Sequence, residues 1–100
     1  MLIKRPGQNP STTQVTFQFP AHVWAESVHL VGDMNDWDRH SLPMHRSRRD
    51  DAPWELTLEL PSGRRYGFRY LINDEMWSND SQADDYATNP YGTDNSVVTT

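Results

Sequence analysis

Three groups of side chains in this sequence have the makings of chemistry: acids clustered in turns, four histidines and four tryptophans. Asp33, Asn35, Asp36 and Asp38 stand close enough together to suggest a calcium loop. The spacing fails, because the sixth position from Asp33 is Asp38, where such a loop needs glycine, and the twelfth is Met44, where it needs glutamate. His22, His29, His40 and His45 share no metal-ligand spacing and read as surface residues. Acid–base catalysis by two carboxylates requires them to converge on one bond, whereas Asp50-Asp51 and Asp84-Asp85 are adjacent pairs that point apart on an extended chain. The expectation is a chain with no catalytic residues, no metal and no cofactor.

The tryptophans are more informative. Residues 28–37, V-H-L-V-G-D-M-N-D-W, run from an apolar strand pattern through a Gly-Asp-x-Asn turn to Trp37. Val28 and Leu30 alternate with His29 as a half-buried strand requires, and Gly32 breaks the run where the chain must turn. Trp37 lies beyond the alternating pattern, so it is either a lid on the core or a presented contact surface. Trp54, by contrast, shares one face of a period-2 run with Leu56, Leu58 and Leu60 and is expected in the core. For Trp24, in the connection over residues 21–27, the reading is partial burial over a strand end.

Several elements must position these residues. Val15, Phe17 and Phe19 alternate with Thr16 and Gln18 and form the first clear strand. The Trp54 run meets turn chemistry at Pro61-Ser62-Gly63, after which Tyr66, Phe68, Tyr70 and Ile72 alternate again, so the two strands make a hairpin. If Phe68 and Tyr70 face inward, Arg69 faces outward. Asn73-Asp74-Glu75 reads as a turn before a short strand at Met76-Trp77, residues 78–86 as a polar loop, Asn89-Pro90-Tyr91-Gly92 as a further turn, and residues 96–99 as the last strand. Residues 1–13 hold two prolines, a glycine and few apolar side chains, and read as a flexible tail before a single domain over residues 14–100.

No helical periodicity of useful length appears. About seven short strands with regular turns predict an all-β, immunoglobulin-like β-sandwich. The chain has 100 residues, which suits one small domain and leaves little room for a catalytic cleft. A formal net charge of −5 argues against nucleic acid or an anionic membrane as partner. The densest basic stretch, residues 45–49, is followed at once by Asp50 and Asp51 and reads as a solvated turn. There is no cysteine, no run long enough to span a membrane and no signal-peptide core, so the expected location is cytoplasmic.

Four motifs now stand in order: G-D-M-N-D-W at 32–37, W-E-L-T-L-E-L-P-S-G at 54–63, F-R-Y-L-I-N at 68–73 followed by Trp77, and N-P-Y-G-T-D-N-S-V-V at 89–98. Together they resemble the family 48 carbohydrate-binding modules, which include the glycogen-binding domain of the AMP-activated protein kinase β subunit and the N-terminal domains of glycogen branching and isoamylase-type enzymes. The resemblance implies an early-set immunoglobulin-like sandwich with a surface site for α-1,4-linked glucan (glycogen, starch or maltooligosaccharides). It maps the two platform tryptophans onto Trp37 and Trp77, the basic strand residue onto Arg69, and the C-terminal contact loop onto Tyr91, Thr93 and Asn95. It implies as partner an α-glucan, together with a glycogen- or starch-metabolising enzyme or a kinase complex. The alternative is a structural or protein-docking domain of the same fold, whose aromatics pack on a catalytic domain or partner chain.

These residue types suit a glucan. A glucose ring has C–H groups on its face and hydroxyls around its rim, so it is complemented by a flat apolar platform with polar groups alongside. Tryptophan offers a large ring for two ordered torsions. Arg69 and Asn95 offer paired donors to neighbouring hydroxyls, Asn95 also an acceptor, and Thr93 one bond more. Tyr91 can pack on the sugar edge.

Overall fold

The computed structural model of the protein describes residues 1–20, 24–46, 49 and 51–100; the expectations for residues 21–23 with His22, and for Ser47, Arg48 and Asp50 around the basic stretch, lie outside the described residues. In chain order the strands are β1 (Leu2–Pro6), β2 (Thr12–Phe19), β3 (Val28–Gly32), β4 (His45–Arg46), β5 (Trp54–Pro61), β6 (Arg65–Ile72), β7 (Met76–Ser78), β8 (Asp85–Thr88) and β9 (Asp94–Thr99). A 3-10 turn, Asp33–Asn35, follows β3. The strands form two antiparallel sheets, one in the order β1-β2-β5-β4 and the other β3-β6-β9-β8, with β7 paired to the end of β6. The all-β sandwich expected from the alternation is what the chain forms, with nine strands among the described residues rather than seven.

The period-2 pattern explains the core. Val15, Phe17 and Phe19 of β2 are buried against Phe68 and Tyr70 of β6, with the Phe17 and Phe68 rings edge to face at 5.1 Å and the Phe19 and Tyr70 rings at 5.0 Å. Burying each such ring is worth ~1.5–3 kcal/mol, the main attraction between the sheets. Trp54 joins this core at 9% exposure, as expected. The buried Tyr70 hydroxyl donates to Asp80 Oδ2 at 2.8 Å, and burial first, then the Asp80 charge, pushes its ionisation far above the ordinary range.

Four sequence expectations are corrected. The strands on either side of Pro61-Ser62-Gly63 do not pair as a hairpin: the turn carries the chain from one sheet to the other, β5 pairing with β2 and β4, and β6 with β3, β7 and β9. Residues 2–6 do not form a tail: β1 pairs along β2 from Leu2 opposite Phe17 to Pro6 opposite Thr13, and the hairpin closes where the Gly7 N–H donates to the Thr12 carbonyl at 3.0 Å. The prolines that suggested disorder sit where an edge strand ends and in its turn, positions that need no ladder donor. Trp24 is not partly buried but 75% exposed. Asp85 and Tyr86, expected at the end of a polar loop, instead begin β8, whose four residues are all exposed and carry no apolar alternation.

Simple alternation also fails on the second sheet in one useful way. Val31, Leu71 and Val97 are buried although their strand neighbours Leu30, Tyr70 and Val98 already face the core. The outer face of this sheet is therefore covered as well, in part by the 3-10 turn, which packs on β3 and β6.

Candidate functional site

The outer face of the second sheet carries most of the residues singled out by the sequence. On β6 it presents Gly67, Arg69 and Leu71, the set opposite to the buried Tyr66, Phe68 and Tyr70. Val31 of β3 stands directly across from Arg69, Trp77 of β7 across from Leu71, and Val97 of β9 across from Gly67. Arg69 thus faces outward, as its place in the strand predicts.

The turn after β3 is built to hold Trp37 on this face. Gly32 is needed because a Cβ there would lie 2.4 Å from the Gly67 carbonyl oxygen and 2.8 Å from the Phe68 Cβ. Asn35 Oδ1 accepts the Gly32 N–H at 3.0 Å, while its Nδ2 donates to the Asp38 carbonyl and to Ser41 Oγ, both at 2.9 Å. Asp36 and Trp37 then both take left-handed backbone angles, φ 55° and 58°, and the Trp37 N–H closes on the Gly32 carbonyl at 2.9 Å. Asp33 fixes the ring: its Oδ1 accepts the indole Nε1–H at 2.8 Å and its Oδ2 accepts the Gly67 N–H at 2.6 Å. Of the residues that suggested a calcium loop, Asp33 and Asn35 have these local tasks instead, and Asp38 Oδ1 accepts the His40 N–H at 2.9 Å. Among the described residues no group of three His, Cys, Asp or Glu could hold a metal.

Gly67 is the floor beneath this indole. A Cβ on it would lie 3.7 Å from Trp37 Cζ2, 3.6 Å from Asn95 Nδ2 and 3.3 Å from Asp33 Oδ2, so three candidate or supporting residues converge on a bare stretch of backbone. Trp37 keeps 36% of its surface exposed. The ring is held at the rim with part of its surface free.

Trp77 stands farther along β6. The Asn73-Asp74 turn that delivers it uses two left-handed residues, φ 53° and 62°, a conformation that Asn and Asp tolerate. Asn73 Oδ1 anchors the turn by accepting the N–H groups of Glu26 and Ser27 at 2.7 and 3.2 Å. The guanidinium carbons of Arg39 and Arg69 lie 5.6 and 5.8 Å from the Trp77 ring centroid. These are long cation–π contacts, near the ~6 Å outer limit for such pairs, and the indole stays 37% exposed. His29 and His40 also meet here, their rings at 90° and 5.5 Å, with Asp74 Oδ1 3.8 Å from His29 Nδ1 and 3.3 Å from His40 Nε2.

The third contribution comes from the turn between β8 and β9, organised by Asn89. Its Oδ1 accepts the N–H groups of Tyr91 and Thr93 at 2.9 and 3.2 Å, and its Nδ2 donates to Thr93 Oγ1 at 2.6 Å and Asn95 Oδ1 at 3.2 Å. With its oxygen engaged, Asn95 presents its Nδ2 over Gly67. Tyr91 projects from the turn tip at 90% exposure and is linked to the others through its backbone. The structure therefore brings Trp37 and Asn95 together over Gly67 and sets Arg69 beside Trp77. Thr93 is tied in through Asn89, and Tyr91 is the outlier.

Asp33, Arg39, Gly67 and Asn89 are the parts that the sequence reading left without a role. Asp33 and Asn89 lay in quoted motifs, but their partners at Gly67 and Asn95 are set by strand register.

Residues 6–92 match the model of carbohydrate-binding module 48, the isoamylase N-terminal domain. The chain belongs to this family. Similar relatives of this module 48 domain include the 1,4-alpha-glucan branching enzyme GlgB of Novosphingobium aromaticivorans, 39% identical over 56 residues, covering 52% of this chain and 8% of that protein. The enzyme of the same description from Mesorhizobium japonicum is 40% identical over 55 residues, covering 49% of this chain and 7% of that protein. The module 48 chain thus spans less than a tenth of the curated relatives it matches. The likeness lies in a small share of proteins whose names describe glucan branching.

Proposed function

We propose that this chain is a non-catalytic module that binds α-1,4-linked glucan through Trp37, Trp77, Arg69 and Asn95, with Thr93 and Tyr91 at the edge of the site. The observation that carries this reading is the convergence of Trp37 and Asn95 on the bare Gly67 backbone, on the sheet face that also presents Arg69 and Trp77. An indole fixed at its nitrogen by Asp33 is a platform already ordered before a sugar arrives, so stacking costs little further entropy. The Asn95 amide beside it supplies a donor to the rim hydroxyls. Each such bond nets only about 1 kcal/mol against water, so affinity rests on the rings. Dissociation constants for short oligosaccharides are expected on the order of 10 μM to 1 mM, about −4 to −7 kcal/mol.

Trp24, exposed outside the core, supports a second reading, in which the aromatics dock a protein partner. An NMR titration with maltoheptaose and β-cyclodextrin, following the four indole N–H signals, separates the two. Shifts at Trp37 and Trp77 with Trp54 still are the expected result; the absence of any shift at millimolar sugar overturns glucan binding and favours docking.

A further inference from the structure

The glucan reading needs one basic residue beside Trp77, and the structure has two. Arg39 comes from the loop after the Trp37 turn and Arg69 from the middle of β6, and both guanidinium carbons lie within 6 Å of one ring centroid. Neither has an ion-pair partner among the described residues, whose pairs include Lys4 with Asp84, Arg65 with Asp85 and Arg49 with Asp51. Two acids of this face are engaged elsewhere. Asp33 uses both oxygens on Trp37 and Gly67, and Asp74 faces His29 and His40. Arg69 Nε is moreover buried without a hydrogen-bond partner.

Two like charges against one indole, neither in an ion pair among the described residues, oppose each other. A chain of net charge −5 has no general excess of cations to explain them. Neutral hydroxyls would be served by a single fork of donors, and the second guanidinium would add repulsion without a matching acceptor. An anion reverses that balance, since guanidinium groups bind phosphate oxygens in parallel pairs and charge assistance roughly doubles each bond. A carboxylate carries one charge and neutralises one arginine, whereas a phosphate monoester carries about −1.5 to −2 at neutral pH and matches both.

We infer that the site prefers an α-glucan bearing a phosphate monoester on a glucosyl hydroxyl, with Trp77 and Trp37 holding sugar rings and Arg39 and Arg69 sharing the phosphate. This rests on the glucan reading above and specifies its substrate class. Arg39 is the residue that sets the preference, since Arg69 also serves neutral sugar.

The test compares three probes by calorimetry and by the Trp77 indole signal: maltoheptaose, maltoheptaose carrying one 6-phosphate, and inorganic phosphate. The phosphorylated sugar is expected to bind about tenfold tighter than the neutral one at low salt, with the gap closing as salt screens the charges. In Arg39→Gln the ratio of the two affinities is expected to fall to near one. Equal binding of both sugars by the unmodified protein overturns the phosphate preference and leaves the glucan reading intact. Binding of neither overturns the glucan reading itself. Inorganic phosphate shifting Trp77 at the same concentration as the phosphorylated sugar overturns the preference in favour of a free-anion site.

Discussion

Trp37 and Trp54 are the same side chain under opposite constraints. Trp54 is packed among the sheet residues of the core, whereas Trp37 is fixed by one hydrogen bond to Asp33 and by contact over Gly67. Trp54→Ala is expected to cost about 3–5 kcal/mol in chemical denaturation, as aromatic truncations in cores do, and to leave oligosaccharide affinity unchanged wherever the domain is folded. Trp37→Ala is expected to cost clearly less stability and to abolish maltoheptaose binding. Equal destabilisation by the two would mean that Trp37 is a lid after all. At this scale the sequence singles out candidate residues and not how they are held. Trp37 stands out because it follows a turn in a motif, but the use of Asp33 depends on a backbone N–H supplied by Gly67, in another strand. Arg39 carried no signal, since a lone arginine in a polar loop is ordinary until a ring is placed beneath it.

Strands with an apolar face were legible, and strands without one were not. β2, β5 and β6 follow from alternation alone, because burial on one side imposes a period of two. β1 and β8 lie at sheet edges and bury little, so their pairing left no such trace. β1 is nevertheless tied across the sandwich. Lys4 Nζ lies 2.6 Å from Asp84 Oδ2, which also accepts the Thr99 N–H of β9 at 2.8 Å. Partial burial works against the Asp84 charge, but the bonds from Lys4 and Thr99 outweigh it and hold the carboxyl below the usual range. A lowered folded-state value means a contribution fully present above the unfolded value near 3.9 and lost as pH falls through the folded one. The melting temperature of Asp84→Asn is therefore expected to lie below that of the unmodified protein at pH 6, with the gap closing below about pH 4. A gap that persists undiminished at pH 2.5 would show that Asp84 acts through packing instead.

Seen whole, the molecule offers its candidate site on one broad face only. The other sheet turns outward a polar lattice in which Thr16 meets Thr57 and Gln18 Nε2 donates to Glu55 Oε1 at 2.8 Å. Among the described residues nothing on that face resembles a sugar platform. A single module is therefore expected to bind short oligosaccharide with a stoichiometry of one, measured by calorimetry, and to hold a polymer weakly. Two copies joined by a flexible linker should bind glycogen about 10²–10⁴ times more tightly than one copy while leaving maltoheptaose affinity per site unchanged. A tandem that gains nothing on glycogen would show that the faces cannot engage together. The radius of gyration, 13.2 Å, matches the ~13 Å of a compact chain of this length.

The left-handed backbone at Asp36 and Trp37 has an evolutionary side. Outside glycine such angles cost of order 1 kcal/mol or more each, and a bulky residue tolerates them worst. Drift under pressure for heat resistance alone would thus relax this turn toward glycine, at Asp36 without consequence for the indole but at Trp37 by deleting it. The sheets beneath take no part in that exchange. A lineage could lose its platform, keep its sandwich and even gain stability, so within such a family a persistent tryptophan at this strained position would record selection for a ligand.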